Sequence, residues 1–120
     1  MKILLISPGT PDEIDNKIIR QIPYLFAKAN NAPHAVATIA ALTPPEHEVS
    51  IRDEYMHGPV EEFLPGKSYD IIGISVTSNQ LKRSLQIAAA CKKYCPSAIV
   101  VAGGIGVETL IYKNKEHIDV

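Results

Sequence analysis

Polar side chains and glycines follow each of four short apolar runs in the sequence. The segments after the runs are Ser7-Pro8-Gly9, Asp53-Glu54-Tyr55, Ser75-Val76-Thr77-Ser78-Asn79 and Gly103-Gly104-Ile105-Gly106. Hydroxyl groups can hydrogen-bond a ligand, and glycines let a ligand approach the backbone because they carry no Cβ atom. If the apolar runs are parallel strands, these segments meet at one edge of the sheet, where α/β proteins bind ligands.

The glycine cluster Gly103-Gly104-Ile105-Gly106 matches none of the common phosphate-binding motifs. A dinucleotide fingerprint, G-x-G-x-x-G, occupies the first strand-to-helix turn, where this chain has Ser7-Pro8-Gly9-Thr10. A phospho-receiver domain needs an aspartate at the end of its third strand, where this chain has Ser75-Val76-Thr77. Two interpretations of the glycines stay open: close approach of a ligand, and a tight turn without a ligand.

The cysteines and histidines predict no metal site. Cys91 and Cys95 have the spacing C-x₃-C that begins a radical S-adenosylmethionine cluster motif, but the third cysteine of that motif is replaced by Ala98. Both thiols lie near the end of a predicted helix, and we interpret them as ordinary helix residues. The four histidines have no ligand-type spacing; they are His34, His47, His57 and His117.

The apolar runs are short and rich in β-branched residues, the pattern of strands buried on both faces of a parallel sheet. We predict strands over Ile3–Ile6, Val49–Ile51, Ile71–Val76 and Ile99–Ala102, and the chain stops as a fifth begins at Ile118–Val120. Segments of helical length separate the runs. The order βαβαβαβα(β) predicts a three-layer, doubly wound parallel sheet of the Rossmann-like or flavodoxin-like type, truncated at its fifth strand.

Two helices are predicted with the most support. Pro33–Leu42 opens with proline, is rich in alanine and precedes Pro44-Pro45, as expected of the first crossover helix. The third helix follows Ser78 or Asn79, either of which can cap it, and ends before Pro96. Capping would use one of the hydroxyl groups of Ser75, Thr77 and Ser78 and leave the others available to a ligand. The apolar stripe of this helix comprises Leu81, Ser84, Leu85, Ala88 and Cys91.

The segment Gly9–Ala32 is a long excursion between the first strand and the crossover helix. Its Thr10-Pro11-Asp12-Glu13 has the pattern of a helix capping box, so part of the excursion is expected to be helical. Structureless connections of this length are uncommon in compact domains and are often functional. The excursion begins at the predicted ligand edge, which favours a functional interpretation.

Length and composition restrict the class of protein. A chain of 120 residues has the size of one domain, which we place over 1–120. Its 12 basic and 13 acidic residues nearly cancel, which argues against a nucleic-acid partner. The apolar start at Ile3–Ile6 is too short for a signal peptide or a membrane span, so we expect a cytoplasmic protein without a membrane partner.

Five segments, taken in order, have a known counterpart. They are Lys2–Pro8 (KILLISP), Pro33–Leu42 (PHAVATIAAL), Val49–Glu54 (VSIRDE), Tyr69–Thr77 (YDIIGISVT) and Val100–Gly104 (VVAGG). Together they resemble the N-terminal cobalamin-binding domain of cobalamin-dependent radical S-adenosylmethionine enzymes. The resemblance covers nearly the whole chain, and it rests on the combination of the segments rather than on any one of them.

The resemblance implies a cobalamin site at the carboxyl ends of the strands, with the nucleotide tail of the cofactor between the sheet and a helix. The loop starting at Ser7-Pro8-Gly9 would lie under the corrin ring, and Ser75, Thr77 and Gly103-Gly104 would line the tail cleft. The implied cofactor-binding residues are Ser7, Pro8, Gly9, Ser75, Val76, Thr77, Gly103, Gly104 and Ile105. No catalytic residue and no metal ligand is implied within this chain.

One motif of the wider cobalamin-binding fold is missing. Methionine-synthase-type domains carry D-x-H-x-x-G after the first strand, and its histidine ligates cobalt from below. Here that stretch reads Pro-Gly-Thr-Pro-Asp-Glu, and His34, the nearest histidine, lies inside the predicted crossover helix. The radical S-adenosylmethionine subfamily commonly lacks this histidine, so its absence fits the resemblance.

The family typically methylates unreactive carbon with a 4Fe-4S cluster and S-adenosylmethionine. The resemblance assigns both to a radical S-adenosylmethionine domain that follows these 120 residues. We therefore expect a corrinoid-binding module of a methyltransferase, without catalytic activity of its own. The alternative is a degenerate domain that has lost the cofactor and serves as a structural or docking domain. An unpaired sheet edge would also permit a homo-oligomer.

Overall fold

Four strands form one parallel sheet in the order β2-β1-β3-β4. They are β1 (Lys2–Ser7), β2 (Glu48–Asp53), β3 (Ile71–Ser75) and β4 (Ile99–Gly103). The structure is a computed structural model that describes residues 1–9, 33–113 and 116–120, with side chains described except at 111–113. The α/β class and the four predicted strands are confirmed, with differences only at the strand ends.

Helices connect the strands. They are α1 (His34–Leu42), α2 (Glu54–His57), α3 (Val60–Phe63), α4 (Leu81–Tyr94) and α5 (Val107–Lys113). The predicted crossover helix is confirmed as α1, with Pro33 as its N-cap. Two single-turn helices follow β2 because Gly58, at φ +78°, and Pro59 interrupt the helix between them. Positions 10–32, with the predicted capping box, lie outside the described residues.

Helix α4 begins later than the sequence predicts. Ser78–Gln80 forms a 3₁₀ turn, and Gln80 is the N-cap residue of α4 without a side-chain cap hydrogen bond. The prediction that Ser78 or Asn79 caps this helix is therefore wrong, because the chain closes one extra turn from Thr77 to Gln80 first. The predicted stripe is largely confirmed: Leu81, Ser84, Ala88 and Cys91 are buried and Leu85 is half-buried.

The two faces of the sheet pack against different helices. Because successive side chains of a strand alternate between faces, the even-numbered residues share one face and belong to the main core with α4; they are Leu4, Ile6, Ile72, Ile74 and Val100. The odd-numbered residues lie opposite and face α1; they include Ile3, Leu5, Ile71, Gly73 and Val101. Burial of each large core side chain contributes roughly 1.5–3 kcal/mol.

Residues 118–120 form no strand of the sheet, but their backbone is hydrogen-bonded to the outer edge of β4. The Val120 N–H donates to the Val100 carbonyl at 3.3 Å, and the Ala102 N–H donates to the Val120 carbonyl at 2.9 Å. This alternation is the pattern of a parallel ladder. The strand β2 forms the opposite edge, and self-association through an edge stays a prediction.

Among the described residues, no helix is long and apolar enough to cross a membrane.

Candidate functional site

An apolar cavity of about 290 Å³ lies between α1 and the odd-numbered face of the sheet. Its floor is formed by β1, β3 and β4, and its wall by α1. At the carboxyl ends of the strands it is bordered by Ser75, Gly103 and Gly104. Three of the residues implied by the resemblance therefore lie together along this border, which we call the mouth of the cavity.

Small residues keep the cavity open. Gly73, in the middle of β3, faces Leu5 so closely that an added Cβ atom would lie 2.9 Å from Leu5 Cδ2. Ala35 of α1 lines the cavity with a single methyl group, while Val36 is buried and anchors the helix. At Gly103 an added Cβ atom would meet no heavy atom within 4 Å, so the space there is free.

The hydroxyl of Ser75 is a polar group at the mouth of this mainly hydrophobic cavity. The lining residues are otherwise mostly aliphatic side chains and glycines. Within the described part of the chain, no protein group forms a hydrogen bond with the Ser75 hydroxyl. A ligand at the mouth would therefore find one polar contact at the edge of an apolar surface, the usual composition of a small-molecule site.

Gly104 and Gly106 are required by the tight turn itself. Gly104 has φ +112°, and an added Cβ atom would lie 2.5 Å from the Val76 carbonyl oxygen. At Gly106 an added Cβ atom would lie 2.7 Å from the carbonyl carbon of Thr77. The turn is fixed by a hydrogen bond from the Gly106 N–H to the Val76 carbonyl at 3.0 Å. The tight-turn interpretation thus accounts for both glycines, whereas Gly103 is left for close approach of a ligand.

Three other implied residues lie away from the cavity. The Val76 side chain is fully buried in the main core, on the α4 side of the sheet. Ile105, at the tip of the turn, is 84% exposed and does not line the cavity. Ser7 is half-buried at the end of β1, opposite Asp53 of β2. None of the three contributes to the cavity mouth.

A polar network is centred on Gln80, the N-cap residue of α4. Its Nε2 donates to the Pro8 carbonyl at 2.7 Å, and its Oε1 accepts from the Thr77 hydroxyl at 2.6 Å. Tyr55 also hydrogen-bonds the Gln80 side chain; burial, then the charge of Asp53, raises the pKa of the Tyr55 phenol despite this bond. The Thr77 hydroxyl is therefore used inside the protein rather than at the cavity.

The buried carboxylate of Glu54 joins this network to the loop after β1. Its Oε2 accepts from the Gly9 N–H at 3.1 Å, and its Oε1 accepts from the Val60 N–H at 2.9 Å. Arg83 adds two hydrogen bonds, from Nε at 2.9 Å and Nη2 at 2.5 Å, and also pairs with Glu61. Burial lowers the pKa of the Arg83 guanidinium, but the hydrogen bonds that it donates to Glu54 and Glu61 outweigh burial and raise it.

The loop residues Pro8 and Gly9 fit closely against Glu54. Both are buried, and a Cβ atom on Gly9 would lie 2.9 Å from the Cβ atom of Glu54. Gly9 is needed there because the loop passes directly over the start of α2. Six of the nine implied residues therefore lie at two places: Ser75, Gly103 and Gly104 border the cavity, while Pro8, Gly9 and Thr77 belong to the polar network.

The sequence predicts that Glu54 directly follows the second strand, but it indicates no role for Glu54, Gln80 or Arg83. The one local indication was the Asp53-Glu54 pair at the end of a predicted strand. Gln80 and Arg83 look like ordinary polar residues of a surface helix, and nothing nearby in the sequence marks their partners. A buried acidic residue could have been suspected from the need to satisfy the backbone N–H groups at strand ends.

The cysteines and histidines form no metal site in the described residues, where no group of three potential ligands occurs. Cys91 and Cys95 are buried free thiols. Burial raises the pKa of Cys91 to about 12, and burial also raises that of Cys95. His34 is exposed at the start of α1. Cys91 lies in α4, and Cys95 is the C-cap residue that follows it.

The triplet Gly66-Lys67-Ser68 has the residue types that end a phosphate-binding P-loop, G-x-x-x-x-G-K-S/T. Where that motif requires its first glycine, the chain has Glu61. The triplet also precedes β3, at the amino end of the sheet, and Lys67 Nζ lies 5.5 Å from the centroid of the Phe63 ring. No P-loop is therefore formed by this triplet.

Three comparisons with known proteins found no similarity to report. No family model matches the chain. No curated protein and no solved structure matches it either.

Proposed function

We propose that this chain is a cobalamin-binding module whose cavity under α1 holds the nucleotide tail of the cofactor. The observation that carries the proposal is the apolar cavity of about 290 Å³ that is bordered by Ser75 and Gly103 at the carboxyl ends of the strands. It lies between the sheet and a helix, as the sequence resemblance implies. The contacts of α1 and α4 with opposite faces of the sheet also support the doubly wound, three-layer arrangement of that family.

The size of the cavity fits one part of the cofactor. Small-molecule sites are typically about 300–1,000 Å³, so this cavity is at the lower end of that range. It suits a flat aromatic group such as the benzimidazole of the tail, and it is too small for the corrin ring. The corrin would then lie outside the cavity, across the carboxyl ends of β1 and β3.

Two groups of the chain would hold the tail. The Ser75 hydroxyl supplies a hydrogen bond at the mouth, and Gly103 lets the tail pass close to the backbone because no side chain fills that space. The aliphatic lining excludes water from the aromatic group. When bound, the corrinoid supplies the methyl-transfer chemistry that the resemblance implies.

Uptake of cofactor tests the proposal. The purified chain is mixed with hydroxocobalamin or with cobinamide, a corrinoid that lacks the nucleotide tail, and unbound corrinoid is removed by gel filtration. We expect corrinoid absorption to elute with the protein, with tighter binding of cobalamin than of cobinamide. A protein peak that stays colourless with both corrinoids would contradict the proposal.

We propose further that the module belongs to a radical S-adenosylmethionine methyltransferase. This part rests on the resemblance of the five segments alone. The test is the sequence encoded downstream of Val120 in the gene. A C-x₃-C-x₂-C motif followed by a barrel-sized domain supports the enzyme class, and an in-frame stop codon after Val120 would contradict it.

A degenerate, structural domain is the second candidate function. It is favoured by the internal use of the Thr77 hydroxyl and by the purely structural requirement for Gly104, since both were implied ligand contacts. On this interpretation α1 presents its exposed Ile39 and Leu42 to another protein. The uptake experiment separates the two candidates, because a structural domain retains neither corrinoid.

A further inference from the structure

The peptide bond between Pro8 and Gly9 is held at both of its polar groups by side chains from distant parts of the chain. Its carbonyl oxygen accepts from Gln80 Nε2 at 2.7 Å, across 72 positions of sequence. Its N–H donates to Glu54 Oε2 at 3.1 Å, across 45 positions. The orientation of this peptide is thus fixed from two sides, directly after β1 ends.

Both side chains that hold the peptide are themselves oriented by other groups. The Thr77 hydroxyl, which has Gln80 Oε1 at 2.6 Å and Asn79 Oδ1 at 2.7 Å as acceptors, keeps the Gln80 oxygen on its side, so that the NH₂ group of Gln80 faces Pro8. Glu54 is oriented by Arg83 and by the Val60 N–H. A freely rotating side chain could not fix a peptide in this way, and the two bonds therefore act as a pre-formed support.

We propose that Glu54 and Gln80 are positioning residues of the corrinoid site. They act through the Pro8–Gly9 peptide, the start of the loop that the resemblance places under the corrin ring. The inference rests on the proposed function, but it concerns the corrin side of the site, whereas the cavity concerns the tail. Loss of either support should therefore weaken binding of cobalamin and of cobinamide to the same degree.

The substitution Gln80→Glu tests the inference because it keeps the shape of the side chain and removes the donor to Pro8. At pH 8 the introduced carboxylate would face the Pro8 carbonyl oxygen, and we expect both corrinoids to bind about tenfold more weakly. Protonation of the carboxyl group at lower pH restores a donor, so binding should recover toward pH 5.

The pH profile is the measurement that a merely structural role would not produce. Among the described residues, Tyr55 is the titratable group hydrogen-bonded to Gln80, and its raised pKa keeps it neutral between pH 5 and 8. Wild-type affinity should therefore change little over that range. Gln86→Glu makes the same exchange at an exposed position of α4, and it should behave as wild type because its carboxylate can still accept the 3.4 Å hydrogen bond from Arg83 Nη1.

The outcomes separate this inference from the proposed function. If wild-type protein binds corrinoids and Gln80→Glu binds them equally well at pH 8, the positioning role is overturned while the proposed function stands. If wild-type protein binds neither corrinoid, both fail. Should Gln80→Glu not fold, hydrogen exchange of the Gly9 amide in wild-type protein decides: exchange that is unchanged when a corrinoid binds overturns the inference, and slower exchange in the corrinoid-bound protein supports it.

Discussion

The carboxylate of Glu54 and the guanidinium of Arg83 form a buried ion pair, with side chains that are only 5% and 11% exposed. We expect Glu54→Gln to lower the free energy of unfolding by about 2–3 kcal/mol, because the new amide cannot accept hydrogen bonds at both ends. Arg83 retains Glu61 as a partner, which limits the loss. Urea unfolding measures the change.

The matched control is Glu62→Gln, at an exposed position of α3. Since a surface exchange of this kind normally changes stability by no more than about 0.5 kcal/mol, this variant should unfold as wild type does. Equal unfolding midpoints for the two variants would show that the buried pair contributes no net stability.

Gly104→Ala should be strongly destabilising and Gly103→Ala should be tolerated. A Cβ atom at Gly104 would collide with the Val76 carbonyl oxygen, and alanine is strained at the positive φ of this position. A Cβ atom at Gly103 would meet free space. We expect a loss of more than about 1 kcal/mol for the first variant and a smaller change for the second. Thermal unfolding of both variants checks this, and equal destabilisation would refute the assignment of the two glycines.

Acid should release residues 118–120 from β4. Hydrogen bonds from Lys92 and from the Val100 N–H lower the pKa of the Asp119 carboxyl group. A carboxyl group with a lowered pKa in the folded state stabilises that state above its unfolded pKa, and the stabilisation is lost as the pH falls through the lowered value. The protection of the Val100 amide, which is its exchange rate relative to that of an unstructured peptide at the same pH, should therefore fall below about pH 3.8.

Asp119→Asn is the control for this pH dependence. Its side chain still offers an oxygen to the Val100 N–H but carries no charge to pair with Lys92. Exchange of the Val100 amide in this variant should be faster than in wild type at neutral pH and should show no carboxyl titration. A wild-type protein whose Val100 amide is equally protected at pH 7 and below pH 3.8 would contradict the role of Asp119.

The thiol of Cys91 should resist alkylation in the folded protein. Burial raises its pKa to about 12, which leaves a thiolate fraction of about 10⁻⁴ at pH 8. Iodoacetamide should label Cys91 at pH 8 only after unfolding in urea, as read by mass spectrometry of the peptide that contains it. Rapid labelling of Cys91 in the native protein would show that the helix opens or that the site is accessible.

The strands and α1 could be predicted because their signals are local. The β-branched run Ile71–Ser75 predicts a strand, and the proline at Pro33 followed by alanines predicts the start of a helix. Both patterns involve only neighbouring residues. The start of α4 was misplaced because the 3₁₀ turn depends on Thr77 and Gln80 contacting each other. That contact cannot be distinguished from ordinary capping by Ser78 in the sequence alone.

The site was predicted less completely because it depends on distant contacts. The cavity exists because Leu5, Gly73 and Val101 lie in register on one face and a small residue, Ala35, faces them. Glu54 and Arg83 are 29 positions apart, and no local pattern connects them. The hydroxyl of Thr77 was expected to face a ligand, but in the structure it hydrogen-bonds the side chain of Gln80.

The central claim, that the cavity under α1 receives the nucleotide tail, is tested most directly by filling the cavity from the helix side. Ala35→Leu adds bulk to a solvent-exposed residue that borders the cavity, and Ala37→Leu adds the same bulk at another exposed position of the same helix, outside the cavity. The measurement is the Kd of hydroxocobalamin and of cobinamide for both variants by calorimetric titration.

We predict that Ala35→Leu weakens cobalamin binding at least about tenfold, the size expected for displacing a buried aromatic group. Its affinity for cobinamide, which has no tail, should be unchanged, and Ala37→Leu should match wild type with both corrinoids. Equal cobalamin affinity of Ala35→Leu and Ala37→Leu would contradict the claim and place the tail, if it is bound at all, outside this cavity.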